Sequence, residues 1–306
     1  MARIETLAIV GVGLIGGSLA LALKESGAVG RVLGVGRSRG NLDDALRLGI
    51  IDEAVSLEQA AKADVIFVAT PVAQMGAVFD SLKPHLVAHA VITDGGSTKQ
   101  DVIESAKRAL GESVKRFVPA HPIAGTEKTG AAAAFASLYR DRKVVVCSHD
   151  ALDADAADIV THMWKSTGAA IHAMSARDHD DVFAAVSHLP HLLAFALVDM
   201  LAAAPQADQY FKFAASGFRD FTRIAGGSPE MWRDISAANR IELRKQLAGY
   251  RSRLDDFDRW LAAGAPSDVS QIEASYARAS RARNAWQRHI EHGEPMPRLA
   301  GGGQEE

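Results

Sequence analysis

Leu7-Ala8-Ile9-Val10-Gly11-Val12-Gly13-Leu14-Ile15-Gly16-Gly17-Ser18 decides the fold, because a short apolar run passes through a glycine-rich turn into an apolar helical pattern. The spacing Gly-x-Gly-x-x-Gly between a first strand and a first helix is typical of dinucleotide binding. Gly11 permits the tight turn, Gly13 lets the backbone approach a pyrophosphate, and Gly16 allows close packing of helix on strand. The amino terminus of the helix supplies free N–H donors for the phosphates. The alternative is a glycine turn with a structural role only.

The second predicted strand, residues 31–36, ends without the acidic side chain that would bind the ribose 2′-hydroxyl of NAD. Arg37, Ser38 and Arg39 stand there instead, and arginine binds a 2′-phosphate bidentately, whereas an acid would repel it. We expect Asn41 to cap the helix that follows. The loop favours NADP, with NAD as the second candidate; the alternative is that both arginines are solvated surface charges.

Short apolar runs alternate with helical stretches up to residue 174, and this alternation predicts an α/β fold with a doubly wound parallel sheet. The further predicted strands are residues 65–69, 90–93, 117–120 and 143–147. Since the carboxyl ends of parallel strands meet at one edge, the loops after Ala69, Thr93 and Ala120 should gather there and face the glycine-rich loop, with the nicotinamide between them. The expected cofactor contacts are Gly11, Gly13, Leu14, Ile15, Gly16, Arg37, Ser38, Arg39, Thr70, Pro71, Asp94 and Ser97.

The chain from residue 175 onward is predicted to be helical. Residues 179–203 form a helix that is apolar around most of its circumference, with a kink expected at Pro190. Residues 243–261 carry apolar side chains at alternating spacings of four and three, and a last helix is expected over 268–292. This apolar surface exceeds what one small helical domain covers, so it predicts a homodimer built through the helical half. The predicted divisions are a dinucleotide-binding domain 1–174, an all-α substrate and dimerisation domain 175–292 and a flexible tail 293–306.

The composition of the 306 residues, 48% hydrophobic and 23% charged, is that of a soluble globular protein. A net charge of −3 gives no basic field for nucleic acid or an anionic membrane. No uninterrupted apolar run approaches the roughly 18 residues of a membrane span, and no signal peptide precedes the first strand. The single cysteine, Cys147, lies in an apolar run and is expected to be buried. We expect a cytoplasmic protein with a small-molecule substrate and no nucleic-acid or membrane partner.

His121 opens a polar stretch, His121-Pro122-Ile123-Ala124-Gly125-Thr126-Glu127-Lys128-Thr129-Gly130, directly after a predicted strand. The carboxyl ends of strands in open parallel sheets are where ligands bind. An isolated histidine in such a loop is more often satisfied by its neighbours, but the glycine-rich opening makes this one a candidate catalytic residue. His188 and His191 lie one turn apart astride Pro190, and without a cysteine or carboxylate cluster beside them a metal site is not expected.

A series of motifs, taken in order, resembles the prephenate/arogenate dehydrogenase family of tyrosine biosynthesis. The motifs are residues 11–18, Asp-Gly-Gly-Ser-Thr-Lys at 94–99, the polar stretch 121–130, Ser-His-Leu-Pro-His at 187–191, Gly-Phe-Arg-Asp-Phe-Thr-Arg-Ile-Ala at 217–225 and Met-Trp-Arg-Asp at 231–234. The resemblance covers nearly the whole chain. It implies a Rossmann-type domain, an all-helical dimerisation domain and, between them, an active site for oxidative decarboxylation of prephenate or arogenate with hydride transfer to NAD(P).

The resemblance implies roles for three residues at the reacting centre. His121 resembles the catalytic histidine, and a neutral imidazole suits removal of the substrate hydroxyl proton, a step worth about 10²–10⁴-fold. Ser97 resembles the serine that positions this histidine and the nicotinamide, with a cap of the helix near Thr98 as its alternative role. Arg223 resembles the arginine that receives the ring carboxylate bidentately, whereas an ion pair with Asp220 is the structural alternative.

The remaining expected residues lie on the substrate side. His191, and after it His188, looks like a residue near the pyruvyl group of prephenate. Trp232 resembles an aromatic residue near the pocket, and a buried core tryptophan is the alternative. Gly217 and Thr126 complete the expected substrate contacts.

Two other functions fit parts of the pattern. The first is another dehydrogenase of the same architecture, of the β-hydroxyacid or 6-phosphogluconate type; those families use a catalytic lysine on the long helix, where this chain has His188 and His191. The second is a non-catalytic dinucleotide sensor, in which His121 and Arg223 would have no chemistry to perform. A turnover assay with prephenate and with 3-hydroxyacids separates these functions.

Overall fold

The computed structural model describes residues 3–126, 128–263 and 265–296, so the predicted tail beyond residue 296 lies outside the described residues. The chain divides into two compact units, Met1–Arg244 and Lys245–Glu306. The strands of the described residues, all in the first unit, are β1 Ile4–Val10, β2 Val29–Val35, β3 Glu53–Ala54, β4 Val65–Val68, β5 Val91–Asp94, β6 Phe117–Val118, β7 Ala120–Pro122, β8 Lys143–Ser148 and β9 Ala170–Ser175.

The helices follow the strands in two groups. Among the strands lie α1 Leu14–Glu25, α2 Arg39–Arg47, α3 Leu57–Ala60, α4 Val72–Leu82, α5 Gln100–Leu110 and α6 Ala154–Lys165. After β9 come α7 Ala176–Phe183, α8 Leu189–Ala202, α9 Ala207–Phe213, α10 Ser216–Thr222, α11 Pro229–Ala238, α12 Arg240–Ala263 and α13 Pro266–His292. The last two include the helices predicted over 243–261 and 268–292.

Strands β1 to β6 form a parallel sheet in the order β3-β2-β1-β4-β5-β6, which is the strand order of a doubly wound dinucleotide-binding fold. Residues of the central strand β1 alternate between the two faces: Leu7 and Ile9 pack into one hydrophobic core, Ala8 and Val10 into the other. Helices α1 and α6 contribute to the first core, and α4 and α5 to the second. The predicted α/β fold class is confirmed.

The strand predicted over residues 117–120 breaks in two at Pro119. The parallel sheet ends with β6, while β7 pairs antiparallel with β8, which pairs in parallel with β9. Proline has no N–H to donate to a ladder, so the chain leaves the first sheet at this point. The prediction that residues 143–147 extend the parallel sheet is therefore wrong, and His121 lies within β7 of a second sheet instead of in a loop.

A π-helical turn, Ala184–His188, joins α7 to α8. Pro190 stands in the first turn of α8, where its missing N–H and its ring prevent a regular bond to the carbonyl four residues earlier. The run nevertheless stays helical from Ala176 to Ala202. A π turn thus directly precedes the helix that holds Pro190, and such turns are frequent at functional sites; the kink expected at Pro190 stays a prediction.

The helical run Ala176–Ala202 is long and apolar enough, by length and composition alone, to cross a membrane. Only 28% of its apolar window is buried within the chain. The run also carries His179, Asp180, His188 and His191, and titratable side chains are costly inside a bilayer.

Candidate active site

The glycine-rich turn between β1 and α1 is shaped to admit a phosphate. Gly11 has a φ of +99°, and a Cβ there would lie 2.7 Å from the carbonyl oxygen of Ala69. A Cβ at Gly16 would lie 2.6 Å from Cγ2 of Ile9, whereas a Cβ at Gly13 would meet nothing within 4 Å. No side chain caps the amino terminus of α1. The open backbone at Gly13 and the uncapped helix end therefore fit a dinucleotide pyrophosphate.

Three segments meet at the edge of the sheet that holds this turn, as predicted. The segment after β4 lies against Gly11, where a Cβ would be 3.1 Å from the main-chain nitrogen of Thr70. The segment after β5 approaches the turn at Gly95, where a Cβ would be 3.3 Å from Cγ2 of Ile15. The N–H of Ala120, which follows β6, donates to the carboxylate of Asp94 at the end of β5. The residues expected to bind a cofactor and to perform chemistry thus share one edge.

Thr70 and Pro71 follow β4 at this edge. The hydroxyl of Thr70 is buried and has no hydrogen-bond partner among the described residues. Because buried polar groups are normally paired, a polar group of a bound cofactor would satisfy it. Pro71 is the N-cap residue of α4, which has no side-chain cap.

The loop after β2 carries the residues expected to select the cofactor. Arg37 is exposed. Arg39 has a side chain that is 81% exposed and pairs with Asp43 at 3.1 Å. Both guanidinium groups are open to solvent and to a ligand.

The cap of α2 differs from the prediction. Ser38 fills the position, its Oγ accepting from the main-chain nitrogen of Asn41 at 3.3 Å. The side-chain amide of Asn41 instead donates to the carbonyl of Val12 at 2.6 Å and accepts from the N–H of Ala131 at 2.8 Å. The predicted cap at Asn41 is wrong because this amide links the glycine-rich turn to a distant loop.

A buried ion pair of Asp94 and Lys99 holds the strand that carries His121. Both side chains are fully buried. Asp94 also accepts from the N–H of Gly96 at 2.8 Å and from that of Ala120 at 3.1 Å, and Lys99 donates to the carbonyl of Ala120 at 2.8 Å. The carboxylate of Asp94 is enclosed by these protein donors and joins the neighbouring segments; the expected contact of Asp94 with the cofactor stays a prediction.

His121 is half-buried and begins a chain of hydrogen bonds. Its Nδ1 lies 2.8 Å from Nε2 of His179, and Nδ1 of His179 lies 2.8 Å from Oδ1 of Asp180. Asp180 in turn accepts from the main-chain nitrogens of Lys99 at 2.8 Å and Gln100 at 2.9 Å. The histidine in β7, helix α7 and the first turn of α5 are thus joined.

Ser97 is placed near this chain without belonging to it. Among the described residues, the hydrogen bond of His121 goes to His179, and Ser97 makes none with His121. The alternative role of Ser97 as a helix cap is wrong, since α5 starts after Lys99 with no cap from its own side chains, and Asp180 supplies the acceptor. The proposed contact of Ser97 with a nicotinamide stays a prediction.

Burial lowers the pKa of His121 well below its ordinary value, and nearby His179, Lys99 and His188 lower it further. The pKa of His179 is also lowered, chiefly by burial. Both rings are therefore neutral at pH 7. A neutral imidazole with one nitrogen available is what a general base requires.

The π turn and the start of α8 carry the next two histidines. Burial lowers the pKa of His188 to about 4, and its Nδ1 lies 3.1 Å from the amide nitrogen of Asn239. His191 donates from Nδ1 to the carbonyl of Ser187 at 2.8 Å, and its ring stacks on Trp232 with centroids 3.5 Å apart. Trp232 is half-buried, so it is not the fully buried core tryptophan of the alternative interpretation.

Arg223 lies beside this histidine pair. Its charge contributes to lowering the pKa of His191, after burial. The alternative ion pair with Asp220 is absent from the described residues, because Asp220 pairs with Arg219 at 3.2 Å. Arg223 is exposed and forms no ion pair within the described ranges, so its guanidinium is available to an anionic ligand.

Gly217 and Thr126 are less closely tied to the site. A Cβ at Gly217 would meet nothing within 4 Å. Thr126 is exposed, and its Oγ1 accepts from the N–H of Lys128 at 3.2 Å. No contact in the described part of the chain joins either residue to His121, and their substrate roles stay predictions.

Sequence reasoning missed His179, Asp180 and Lys99. The first two lie in Ser175-Ala176-Arg177-Asp178-His179-Asp180, which looks like the ordinary polar first turn of a helix. A lysine is normally a surface residue. The sequence does place His179 and Asp180 just before the apolar run that starts at Val182, and Lys99 at the end of the motif 94–99.

Within the described ranges, no three His, Cys, Asp or Glu side chains come together in a way that could hold a metal ion. Cys147 is buried in β8, and burial raises its pKa to about 12. It is therefore a protonated thiol rather than a nucleophile at neutral pH.

Two family models match the chain in succession. The first is described as "Prephenate dehydrogenase, nucleotide-binding domain" and matches residues 19–173. The second is described as "Prephenate dehydrogenase, dimerization domain" and matches residues 175–272.

Curated relatives and solved structures agree with these models. The chain is 36% identical to a prephenate dehydrogenase of Bacillus subtilis, over 84% of this chain and 67% of the relative. It is 32% identical to a cyclohexadienyl dehydrogenase of Zymomonas mobilis, over 93% of this chain and 97% of the relative. The prephenate dehydrogenase of Aquifex aeolicus, solved with hydroxyphenyl propionate and NAD+, is 35% identical and superposes with a TM-score of 0.84 over 92% of this chain and 99% of that one.

Proposed function

The chain belongs to the prephenate dehydrogenase family, and from that premise we propose that it oxidises prephenate or arogenate with release of carbon dioxide. It is a pyridine-nucleotide-dependent oxidoreductase. Prephenate carries a ring hydroxyl, a ring carboxylate and a pyruvyl side chain; arogenate has an amino group on that side chain. A bound nicotinamide supplies the hydride acceptor for the hydroxyl-bearing carbon. Loss of the carboxylate then makes the ring aromatic.

Neutral His121 at the cofactor edge of the sheet is the observation that carries this proposal. Ala120, which precedes His121 in β7, is hydrogen-bonded to Asp94 and Lys99. Gly95, in the same segment, lies next to Ile15 at the glycine-rich turn. The substrate hydroxyl gives its proton to Nε2 of His121. At the same time, the carbon that carries this hydroxyl loses its hydrogen as hydride. A bound cofactor would be held by the turn around Gly13, the amino terminus of α1 and the hydroxyl of Thr70, which has no partner among the described residues.

The substrate is placed by the side chains of the helical half. Arg223 takes the ring carboxylate, because its planar guanidinium matches two carboxylate oxygens. His191, stacked on Trp232, faces the pyruvyl side chain, with His188 behind it. We further propose that Gly217, and Thr126 from outside the helical half, contact the substrate.

The test of this proposal is a comparison of kcat/KM for four combinations, prephenate and arogenate each with NADP and NAD. Turnover with at least one of the two substrates supports the proposal, and the ratios identify the preferred pair. Absence of turnover with both substrates, by protein that binds NADP or NAD, would leave a dehydrogenase of the β-hydroxyacid type or, if 3-hydroxyacids are inert as well, a non-catalytic dinucleotide sensor as the better interpretation.

The pH profile of kcat/KM follows from the lowered pKa of His121. A general base acts only when it is neutral, so activity is present above its pKa in the free enzyme and is lost as the pH falls through it. Because that pKa lies well below about 6.5, we expect kcat/KM to stay constant from pH 7 down to about 6.5 and to fall only below. An acid limb centred above 6.5 would contradict this assignment.

We propose NADP as the preferred cofactor, since Arg37 and Arg39 stand where an acid would select NAD. Arg37→Asp should lower kcat/KM for NADP by about tenfold or more relative to NAD, because attraction to the 2′-phosphate becomes repulsion. Arg47→Asp is the matched control, because Arg47 lies at the far end of α2 in an ion pair with Asp44. A wild-type preference for NAD that Arg37→Asp leaves unchanged would refute the proposal.

We propose that residues 1–174 bind the cofactor and that 175–292 complete the substrate site and form a homodimer. We also place the protein in the cytoplasm, like a soluble biosynthetic enzyme. The dimer accounts for the exposed side chains of Val186 and Met200, 67% and 61% exposed on the helical run Ala176–Ala202.

Light scattering at micromolar concentration should give twice the mass of one chain. Met200→Asp should lower the fraction of dimer, because a charge then replaces an apolar contact. Leu48→Asp, an exposed apolar position near the end of α2, serves as the control. A monomeric wild-type protein would contradict the dimer.

A further inference from the structure

Two side chains behind His121 take no part in the steps above. We propose that His179 and Asp180 are positioning residues that fix the tautomer of His121, so that Nε2 is always the ring nitrogen that takes the proton. The proposal rests on the role of His121 as the base in the proposed function. It follows from the direction in which each hydrogen bond of the chain must run.

The direction is set at Asp180. An ionised carboxylate only accepts hydrogen bonds, and Asp180 already accepts from two main-chain N–H groups, which helps to lower its pKa against the effect of burial. The contact of 2.8 Å with His179 therefore requires the proton of that ring to be on Nδ1. A neutral His179 then has a lone pair on Nε2.

The lone pair on Nε2 of His179 determines which ring nitrogen of His121 carries the proton. The contact of 2.8 Å between Nε2 of His179 and Nδ1 of His121 needs one proton, which has to come from His121. In a neutral His121 the proton on Nδ1 leaves Nε2 as the basic nitrogen. The opposite tautomer would place a proton on Nε2 and set two lone pairs against each other at Nδ1.

The same chain of hydrogen bonds stabilises the positive charge that forms on His121. When Nε2 takes the substrate proton, the imidazolium keeps its bond from Nδ1 to His179, and the Asp180 carboxylate lies behind it. Phe183 packs against both histidine rings, with centroids 4.9 Å from His121 and 4.5 Å from His179. Because His179 and Asp180 are buried, the attraction between this carboxylate and the charge on His121 is weakly screened.

The chain of hydrogen bonds that starts at His121 ends inside the protein. The side chain of His179 is fully buried and that of Asp180 is 3% exposed. A proton that moved from His121 to His179 would have no route to solvent along this chain. The pair therefore orients and stabilises the base, and the proton leaves from Nε2 of His121 itself.

His179 is the better residue to change, because Asp180 also caps α5. His179→Phe keeps a ring beside Phe183 but removes the acceptor for His121. His179→Gln keeps an acceptor, since its amide oxygen can take the place of Nε2. We expect His179→Phe to lower kcat by about 10- to 100-fold with an unchanged Kd for the cofactor, and His179→Gln to recover most of the loss.

The matched control is His89→Gln. His89 and Asp64 form a second histidine–aspartate pair, 3.1 Å apart, at an exposed position outside the site. This variant should keep wild-type kcat. A wild-type kcat in His179→Phe, or a folded His179→Gln variant as inactive as His179→Phe, overturns the proposal.

Nitrogen-15 NMR of histidine-labelled protein tests the tautomer without turnover. The signals of His121, assigned by their loss in His121→Asn, should show a protonated Nδ1 and a bare Nε2 in the wild type, and a larger share of protonated Nε2 in His179→Phe. A wild-type His121 protonated on Nε2 overturns the proposal. Failure of the wild type to turn over either substrate would remove the proposed function, whereas the NMR result decides the tautomer independently.

Discussion

We expect His121→Asn to lower kcat by about two to four decades, because the general base is lost while the rest of the site stays in place. The amide nitrogen of asparagine lies where Nδ1 of histidine lay, so it can still donate to His179. Nothing in the variant corresponds to Nε2. The measurement is steady-state kcat at saturating substrate and cofactor.

The affinity for the cofactor should not change in this variant, since the hydrogen bond and ring contacts of His121 among the described residues are to His179 and Phe183, not to the glycine-rich turn or α1. Quenching of tryptophan fluorescence by cofactor gives this Kd directly. If kcat of the variant lies within about threefold of the wild type, His121 is not the base.

After the loss of kcat in His121→Asn, the next largest loss of activity is expected in Arg223→Ala. It should raise KM for prephenate strongly while the Kd for NADP stays nearly the same, because Arg223 lies beside the π turn and α8 and the cofactor turn lies between β1 and α1. A bidentate, charge-assisted contact is worth about 2–4 kcal/mol, which corresponds to a loss on the order of 30- to 1,000-fold in kcat/KM. Initial-rate measurements at varied prephenate check this.

Two further variants define the role of Arg223. Arg223→Lys should recover only part of the affinity, since a point charge cannot reproduce the planar fork. Arg108→Ala removes an exposed arginine on α5 that donates to the hydroxyl of Ser105, and it should leave KM unchanged. An equal rise in KM for substrate and cofactor in Arg223→Ala would show that Arg223 has a structural role.

Local patterns were sufficient to predict the framework. The glycine-rich stretch predicts strand, turn and helix because Gly11 and Gly16 each stand where a Cβ would collide with backbone or core atoms. The gathering of loops at one sheet edge followed from parallel topology alone. Because no ion pair with Asp220 forms, Arg223 keeps the availability that its motif implied.

The parts that sequence reasoning missed depend on contacts between distant residues. His121 and His179 are 58 positions apart, and Asp180 caps a helix that starts 80 positions earlier. Pairing with the first sheet ends at Pro119, so His121 lies in a strand of a second sheet, whereas the sequence predicted a loop. These outcomes are set by tertiary packing, which overrides the local preferences of turn and cap residues.

The stoichiometry of turnover with prephenate decides whether this protein is a decarboxylating dehydrogenase. We expect one reduced nicotinamide and one carbon dioxide for each 4-hydroxyphenylpyruvate formed, with 3-hydroxyacids inert as substrates and the reaction lost in His121→Asn. Oxidation of 3-hydroxyacids without release of carbon dioxide, together with no reaction of prephenate or arogenate, would contradict the account and assign the chain to another chemistry on the same fold.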